Sequence, residues 1–105
     1  MSTQAEPIEL EPAEVSARMA QGRIVLVDVR EPNETAAERI PGAQLMPLSQ
    51  FDPAALPKSE VVLTCLGGKR SALALVRCRE AGVAVTTHMR GGLAAWKAAG
   101  LPTTR

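Results

Sequence analysis

The chain passes from a predicted strand to a predicted helix within residues 61–75, VVLTCLGGKRSALAL. The apolar run that ends at Cys65 is typical of a strand buried on both faces of a parallel sheet. Two glycines follow, and residues 69–82 have the composition of a helix that stops at a glycine. A strand joined to a helix is the repeating unit of α/β domains. Cys65 therefore lies at the carboxyl end of a strand, where open α/β sheets bind their ligands.

The rest of the chain alternates predicted strands with predicted helices. Strands are predicted at residues 6–10, 23–29, 44–48, 60–65 and 83–89. Helices or helical turns are predicted at residues 11–22, 34–37, 49–56, 69–82 and 91–100. In the third of these, Asp52 is the expected N-cap and Pro53 the first helical residue. The alternation predicts an α/β fold with a mostly parallel sheet, formed by a single domain over residues 1–105.

Composition and charge restrict the class of protein. The chain has 105 residues, 46% of them apolar, which suits one folded domain with an aliphatic core. A net charge of +1 gives no electrostatic reason to expect binding to nucleic acid or to an anionic membrane. No apolar run approaches the ~20 residues of a membrane span, and the first residues lack a signal-peptide pattern. Two cysteines are too few for a disulfide scaffold, so we expect a cytoplasmic protein with reduced thiols.

The loop after Cys65 has the properties of an anion site. Glycines allow tight turns, including positive φ angles, so several N–H groups can face one point. The first turn of the following helix adds unpaired N–H groups and the positive end of the helix dipole. Lys69 and Arg70 add positive charge, so we expect the loop to favour the thiolate of Cys65 and to make it reactive. The alternative is an ordinary buried cysteine beside a glycine turn.

Two other anion-binding loops can be tested by counting residues. A phosphate-binding P-loop, GxxxxGK[ST], would need glycine at position 63 and Ser or Thr after the lysine. The chain has Leu63 and Arg70 at these positions, so the motif is absent. Cysteine phosphatases use C-x5-R, whereas here four residues separate Cys65 from Arg70, and Ser71 comes next. The loop is one residue short for a tetrahedral phosphate and suits a smaller guest, such as a sulfur atom carried on the thiol.

Three segments together resemble the rhodanese-like domains. CLGGKRS (residues 65–71) resembles the C-x-x-G-x-R-S active loop of that family. VDVREPNETAAERIPGA (27–43) resembles its DVREPxE…GHIPGA element, and MRGGLAAWKAAGLP (89–102) resembles its C-terminal xGGxxAWxxAGLP. The segments follow one another in the family's order. The resemblance implies a three-layer α/β fold with a central five-stranded parallel sheet and helices on both faces.

The resemblance also implies a sulfurtransferase reaction. The Cys65 thiolate would attack the outer sulfur of thiosulfate or of a persulfide donor, hold it as a persulfide, and pass it to an acceptor such as cyanide or a thiol. The N–H groups of the loop would cradle this anion. They belong to Leu66, Gly67, Gly68, Lys69, Arg70 and Ser71. The side chains of Arg70 and Lys69 would attract the anionic donor, and neither a metal nor an organic cofactor is implied.

The same resemblance leaves a second function open. The chain would then be a rhodanese-like sulfur carrier or regulatory protein-binding module with little activity on thiosulfate. Its partner would be a protein that donates or accepts sulfur. Glu38 and Arg39 motivate this alternative, because they replace the Gly-His pair usual before Ile-Pro-Gly-Ala and would alter the rim of the site. Thr35 likewise stands where an aromatic residue often follows the glutamate.

We expect a structural role for several other polar or reactive side chains. Asp28 and Arg30 flank the end of a buried strand, and we expect a polar pair that supports the loops beneath the site. Glu34 is expected to be a loop or helix partner. Cys78 shares a helical face with apolar residues and is expected in the core. His88 has no cysteine or acidic cluster beside it in the sequence, so we expect from it neither metal binding nor base catalysis.

Overall fold

The computed structural model describes residues 7–105, so Glu6, the first residue of the predicted first strand, lies outside it. Within this range the chain forms five strands: β1 (Ile8–Leu10), β2 (Val25–Asp28), β3 (Gln44–Leu45), β4 (Val61–Thr64) and β5 (Thr87–Met89). Four α-helices alternate with them: α1 (Pro12–Ala20), α2 (Pro32–Ala37), α3 (Lys69–Glu80) and α4 (Gly92–Ala98). Two short 3-10 helices, Leu48–Gln50 and Pro53–Ala55, lie between β3 and β4. None of the helices in residues 7–105 has the length and apolar character that a membrane-spanning helix needs.

The strands form one parallel sheet in the order β1-β5-β4-β2-β3. β4 is its central strand, where Leu63 lies opposite Val27 of β2 on one side and opposite His88 of β5 on the other. Every residue of β4 is buried, which explains its almost entirely apolar sequence. The predicted five-stranded parallel sheet is confirmed. Its topology places Cys65, which follows β4, in the middle of the sheet's carboxyl edge.

Different helices cover the two faces of the sheet, because successive side chains of a strand point to opposite faces. One buried cluster joins α3 to one face: Val27, Leu63, Ala74, Leu75 and Cys78. The other joins α1 and α4 to the opposite face: Val15, Leu26, Val62, Leu93 and Trp96. Cys78 is a core residue, as expected; its thiol is free, and burial raises its pKa.

The structure changes the bounds of several predicted elements. α2 is a helix of six residues rather than one turn, because Pro32 begins it and Glu31 and Glu34 form a reciprocal capping box. β3 and β5 are shorter than predicted, with two and three residues. α3 ends before Gly82, whose left-handed conformation (φ +72°) closes the C-terminus of the helix. The predicted N-cap is confirmed, since the Asp52 carboxylate accepts a hydrogen bond inside the second 3-10 helix.

We expect Leu63→Ala to lower the free energy of unfolding by about 2–5 kcal/mol, because this side chain is fully buried and its truncation leaves a cavity. Leu73→Ala is the matched control. Leu73 lies on α3 and is 46% exposed, so its truncation should change stability by no more than about 0.5 kcal/mol. Urea unfolding followed by circular dichroism measures both variants, and equal losses would contradict the central position of Leu63.

Candidate active site

Cys65 follows β4 directly, and the loop behind it turns back over its sulfur. Cys65 is 1% exposed, and its Sγ accepts hydrogen bonds from the N–H groups of Gly68 (3.0 Å) and Ser71 (3.3 Å). Gly68 adopts φ +109°, a conformation that side-chain-bearing residues rarely take, so glycine at this position permits the turn. N–H donors form stronger hydrogen bonds with a charged acceptor than with a neutral one, so the loop has the geometry of an anion site at this sulfur.

The remaining N–H groups of the loop have no protein acceptor within residues 7–105. They belong to Leu66, Gly67, Lys69 and Arg70. The last two lie in the first turn of α3, at the positive end of the helix dipole. The structure therefore brings two of the six expected N–H groups to the Cys65 sulfur and leaves four able to bind another group. Their binding of a sulfur donor stays a prediction.

The start of α4 holds the loop in place. The Leu93 N–H donates to the Cys65 carbonyl oxygen (2.8 Å), and the Ala94 N–H donates to the Leu66 carbonyl oxygen (3.0 Å). A Cβ at Gly92 would lie 2.3 Å from the Cys65 oxygen and 2.6 Å from the Leu66 oxygen. Gly92 also has a positive φ of +60°. The close approach of two backbone segments thus requires glycine at position 92, the first residue of α4.

Arg70 is bound by Glu34 at the edge of the loop. Its guanidinium donates hydrogen bonds of 2.7 and 2.9 Å to the two oxygens of that carboxylate, and both side chains are partly exposed. The hydrogen bond from Arg70 lowers the pKa of Glu34 to about 2, although burial opposes the shift. The same hydrogen bond raises the pKa of Arg70. Glu34 is thus a loop partner, and Arg70 would meet a sulfur donor as one half of an ion pair.

Asp28 and Arg30 form a buried ion pair at the end of β2, the strand beside β4. The Arg30 Nη2 donates to the Asp28 carboxylate at 2.8 Å, and the Arg30 backbone N–H donates to the same carboxylate at 2.9 Å. The Nη2 also donates to the Glu38 carbonyl oxygen at 2.8 Å. The pair therefore ties the end of β2 to the segment after α2. These contacts fit the expected supporting role.

Glu38 and Arg39 contact the C-terminal segment. The Glu38 carboxylate accepts hydrogen bonds from Lys97 Nζ (2.8 Å) and Thr103 Oγ1 (2.7 Å), and the bond from Lys97 lowers the pKa of Glu38. Arg39 and Thr104 exchange two backbone hydrogen bonds of 2.8 Å. None of these contacts is with the cysteine loop. Glu38, through its side chain, and Arg39, through its backbone, therefore attach the C-terminal residues to the rest of the domain.

His88 has two polar partners that its sequence neighbours do not reveal. It is buried on β5, and its Nδ1 lies 2.7 Å from Ser71 Oγ. Its Nε2 lies 3.2 Å from a carboxylate oxygen of Glu9 on β1. Burial lowers the pKa of His88, and Glu9 opposes this shift. The contact between His88 and Glu9 could have been predicted from the parallel pairing of β1 with β5, which sets Glu9 opposite His88.

A cleft of about 470 Å³ opens beside this histidine. Residues of β1, β5 and the cysteine loop line it, among them Glu9, Gly67, Gly68, Lys69, His88 and Gly91. Lys69 is exposed, so its ammonium adds positive charge at the cleft. In the described part of the chain, no three His, Cys, Asp or Glu side chains gather in a way that could hold a metal ion. The cleft therefore reaches the start of α3, with the ammonium of Lys69 and the carboxylate of Glu9 both in its lining.

Gly92→Ala should distort the cysteine loop, whereas Gly100→Ala should not. Both glycines adopt a left-handed backbone conformation, with φ angles of +60° and +77°. Alanine at either position therefore introduces a backbone strain of about 1–2 kcal/mol. Only at Gly92 does the added Cβ meet other atoms, the backbone of Cys65 and Leu66. We expect the Gly92 variant alone to lose at least about 1 kcal/mol more and to alkylate Cys65 at an altered rate. Urea unfolding and iodoacetamide kinetics measure this, and identical behaviour of the two variants would contradict it.

The Glu34–Arg70 pair should make stability depend on pH in acid. The folded-state pKa of Glu34 lies below its ordinary 4.5, so its stabilisation is present above that pH and is lost as the pH falls through about 2. The stability difference between wild type and Glu34→Gln should therefore shrink with acidification. Solvent screening of this partly exposed pair keeps the difference below about 1 kcal/mol.

Urea unfolding over that pH range measures the difference. The control is the same substitution in an Arg70→Gln background, where the pH dependence should be weaker because Arg70 is its main cause. A difference that grows as the pH falls would show that the sign is wrong.

Comparison with known proteins agrees with this geometry. A family model described as the rhodanese-like domain matches residues 11–99. An uncharacterized protein of Synechocystis sp. is 43% identical over 107 residues, which cover 99% of this chain and 59% of that protein. A protein of Allochromatium vinosum named sulfurtransferase is 35% identical over 98 residues, which cover 90% of this chain and 92% of that one. The crystal structure of a thiosulfate sulfurtransferase from Pseudomonas aeruginosa matches with a TM-score of 0.80 and 27% identity, over 99% of this chain and 20% of that chain.

The chain spans less than two thirds of the length of the Synechocystis relative, so the match with that protein is to a part of it. The family model, in contrast, covers most of the present chain, from α1 to the residue after α4. The five-stranded parallel sheet and the cysteine loop at its carboxyl edge agree with this match. The chain belongs to the rhodanese-like domain family.

Proposed function

We propose that the chain is a sulfurtransferase that carries a sulfane sulfur on Cys65. The single observation that supports this most is the loop that turns over the Cys65 sulfur, with N–H donors from Gly68 and Ser71 at 3.0 and 3.3 Å. The family assignment supports it further, as do the names of the Allochromatium and Pseudomonas proteins. The donor is thiosulfate or a persulfide, and the acceptor is a thiophile such as cyanide or a thiol.

The reaction proceeds in two halves. The Cys65 thiolate attacks the outer sulfur of thiosulfate and forms a new S–S bond. The original S–S bond breaks, and its electron pair leaves on sulfite. In the second half, the acceptor attacks the outer sulfur of the Cys65 persulfide, and the Cys65 thiolate leaves with the electron pair of the broken bond. This is covalent catalysis with ping-pong kinetics.

The loop stabilises charge in both halves. The persulfide carries its negative charge on the outer sulfur, beyond the position that the thiolate sulfur occupies. The N–H groups of Leu66, Gly67, Lys69 and Arg70 have no protein acceptor within residues 7–105 and are the donors available to it. Fixed backbone donors act without reorganisation during the reaction. The exposed ammonium of Lys69 attracts the anionic donor, and the guanidinium of Arg70 supports it from its ion pair with Glu34.

A second candidate is a sulfur carrier or protein-binding module with little activity on thiosulfate. The observation that favours it is the side chain of Leu66, which is 47% exposed directly beside the buried Cys65. An exposed leucine at the mouth of a reactive loop suits contact with a protein that donates or accepts sulfur. Both candidates need reduced thiols, and the two described cysteines are free, which supports a cytoplasmic location.

Thiosulfate and cyanide together test the proposal, with thiocyanate as the measured product. We expect Cys65→Ala to abolish thiocyanate formation, because no other group carries the sulfur. Cys78→Ala is the matched control: this cysteine is fully buried in the core, and its loss should lower stability while leaving turnover in place. Mass spectrometry should find one added sulfur on Cys65 after treatment with the donor.

Equal turnover by wild type and Cys65→Ala would reject the sulfurtransferase. A Cys65 persulfide that forms from a protein persulfide but not from thiosulfate would favour the carrier over the enzyme.

A further inference from the structure

Four side chains, from β1, β5, α3 and the end of β4, form a continuous polar chain that ends at the Cys65 sulfur. Glu9 Oε2 lies 3.2 Å from His88 Nε2, His88 Nδ1 lies 2.7 Å from Ser71 Oγ, and Ser71 Oγ lies 3.6 Å from Cys65 Sγ. Ser71 is 0% exposed, and His88 is 4% exposed. Glu9, about half exposed, connects this buried chain to the surface. The contacts therefore form a path for a proton between the thiol and the outside of the domain.

The hydrogen-bonding capacity of each group determines which atom donates and which accepts along this series of contacts. The Glu9 carboxylate can only accept, so the Nε2 of neutral His88 carries the proton and donates it. His88 Nδ1 then has a free lone pair and accepts from the Ser71 hydroxyl. The Ser71 oxygen in turn accepts from the Cys65 thiol. The Gly68 carbonyl oxygen, at 3.2 Å, is a second acceptor for the Ser71 hydroxyl, but the contact with His88 is shorter.

The charge state of His88 suits the role of a base. Burial holds its pKa below the ordinary 6.5, so the ring is neutral at pH 7 and able to take a proton. The charged groups around it come from each neighbouring element. β1 contributes Glu9, α3 contributes Lys69 on the shared cleft, and Arg90 at the end of β5 is exposed and paired with Glu11. On the β4 side, its register partner is Leu63, which is uncharged.

We propose that His88 accepts the proton of Cys65 through the hydroxyl of Ser71, and that Glu9 orients the imidazole for this transfer. The inference rests on the proposed sulfur transfer and adds the base that the sequence did not reveal. Ser71 is the catalytic residue of the group, since its hydroxyl touches the reacting sulfur. His88 and Glu9 act through it as positioning residues.

The step balances without any further reactant. The Cys65 S–H bond breaks as its proton passes to Ser71 Oγ, and the original Ser71 proton passes to His88 Nδ1. The sulfur electron pair forms the S–S bond with the donor's outer sulfur, and the donor's own S–S bond breaks toward sulfite. The products are the Cys65 persulfide anion, sulfite and a His88 imidazolium facing the Glu9 carboxylate. In the second half-reaction, the same path can return a proton to the departing Cys65 thiolate.

The test measures the rate at which iodoacetamide alkylates Cys65 as a function of pH, with peptide mapping to separate Cys65 from Cys78. This readout needs no sulfur donor, so it is independent of whether thiosulfate is the substrate. The alkylation rate of wild type should fall in acid as His88 becomes protonated, which happens at a pH below the ordinary histidine pKa of 6.5. His88→Asn should lose the part of this acid dependence that follows His88 and keep only the part that follows ionisation of the thiol itself. At neutral pH it should react at least about tenfold more slowly, because the base is gone.

Two further variants address the path itself. Ser71→Ala breaks the bridge and should reproduce the His88→Asn profile. Glu9→Gln removes the charge that raises the pKa of His88, so the decrease of its alkylation rate in acid should move to lower pH. Glu9 is partly exposed, so this variant tests the chain even where His88→Asn fails to fold. Thr87→Val is the matched control on β5 and should keep the wild-type profile.

The inference would be overturned if folded His88→Asn or Ser71→Ala kept the wild-type alkylation rate at neutral pH and its wild-type decrease in acid. It would also be overturned if the decrease in acid were unchanged in Glu9→Gln. The proposed function has a separate test, since thiocyanate formation by wild type is measured on its own. Wild-type turnover with an unchanged alkylation profile in these variants would reject the relay alone. The expected profile without thiocyanate formation would reject the thiosulfate reaction alone.

Discussion

The hydrogen bonds from the start of α4 to the loop carbonyls are the constraint on which the site depends. The carbonyl oxygens of Cys65 and Leu66 point toward α4, where the N–H groups of Leu93 and Ala94 bind them. In a planar trans peptide the N–H points opposite to the C=O. The loop N–H groups that follow these two carbonyls are therefore turned away from α4. Gly92 makes the arrangement possible, because any Cβ there would overlap the loop backbone.

The sheet supplies the second constraint, which is the order of its strands. β1, β5 and β4 are neighbours, and their parallel pairing sets Glu9 beside His88 and His88 beside the strand that leads to Cys65. Side chains at equivalent heights of adjacent parallel strands stay close because the register is fixed by backbone hydrogen bonds. The polar chain from Glu9 to the cysteine thus crosses three strands at one edge of the sheet. A slip of one residue in β5 would point His88 to the opposite face and break it.

The sequence predicts those parts of the site that depend on neighbouring residues. The strand end, the glycine turn and the start of α3 lie within residues 61–71, so their mutual geometry follows from local rules, and the structure has the loop in that form. The partners of Arg70 and His88 are different, since Glu34 lies 36 residues from Arg70 and Ser71 lies 17 residues from His88. Their pairing depends on tertiary packing, which a single sequence does not encode in a readable pattern.

The same dependence on tertiary packing explains why the sequence did not predict the contacts of Glu38 and Arg39. Their departure from the family motif pointed to the rim of the site, because the motif gives residue types but not the directions of side chains. Glu38 instead bonds to Lys97 and Thr103, and the backbone of Arg39 pairs with Thr104. The C-terminal segment therefore accounts for the glutamate at position 38, whereas the contacts of Arg39 with Thr104 use only its backbone.

The groups around Cys65 differ in how directly they contact its sulfur. Arg70 is matched by Glu34, and Lys69 is exposed to screening by solvent, so neither supplies a full positive charge to the sulfur. A partly exposed ion pair contributes about 0–1 kcal/mol, whereas a hydrogen bond to a charged group contributes about 1.5–3 kcal/mol. The N–H groups of Gly68 and Ser71, in contrast, donate directly to the sulfur. The contacts to the sulfur come from the backbone of the loop and from the Ser71 hydroxyl, and the loop is in turn held by α4. A substitution at Gly92 on α4 should for that reason affect the thiol more than the removal of Lys69, four residues after Cys65 in the sequence.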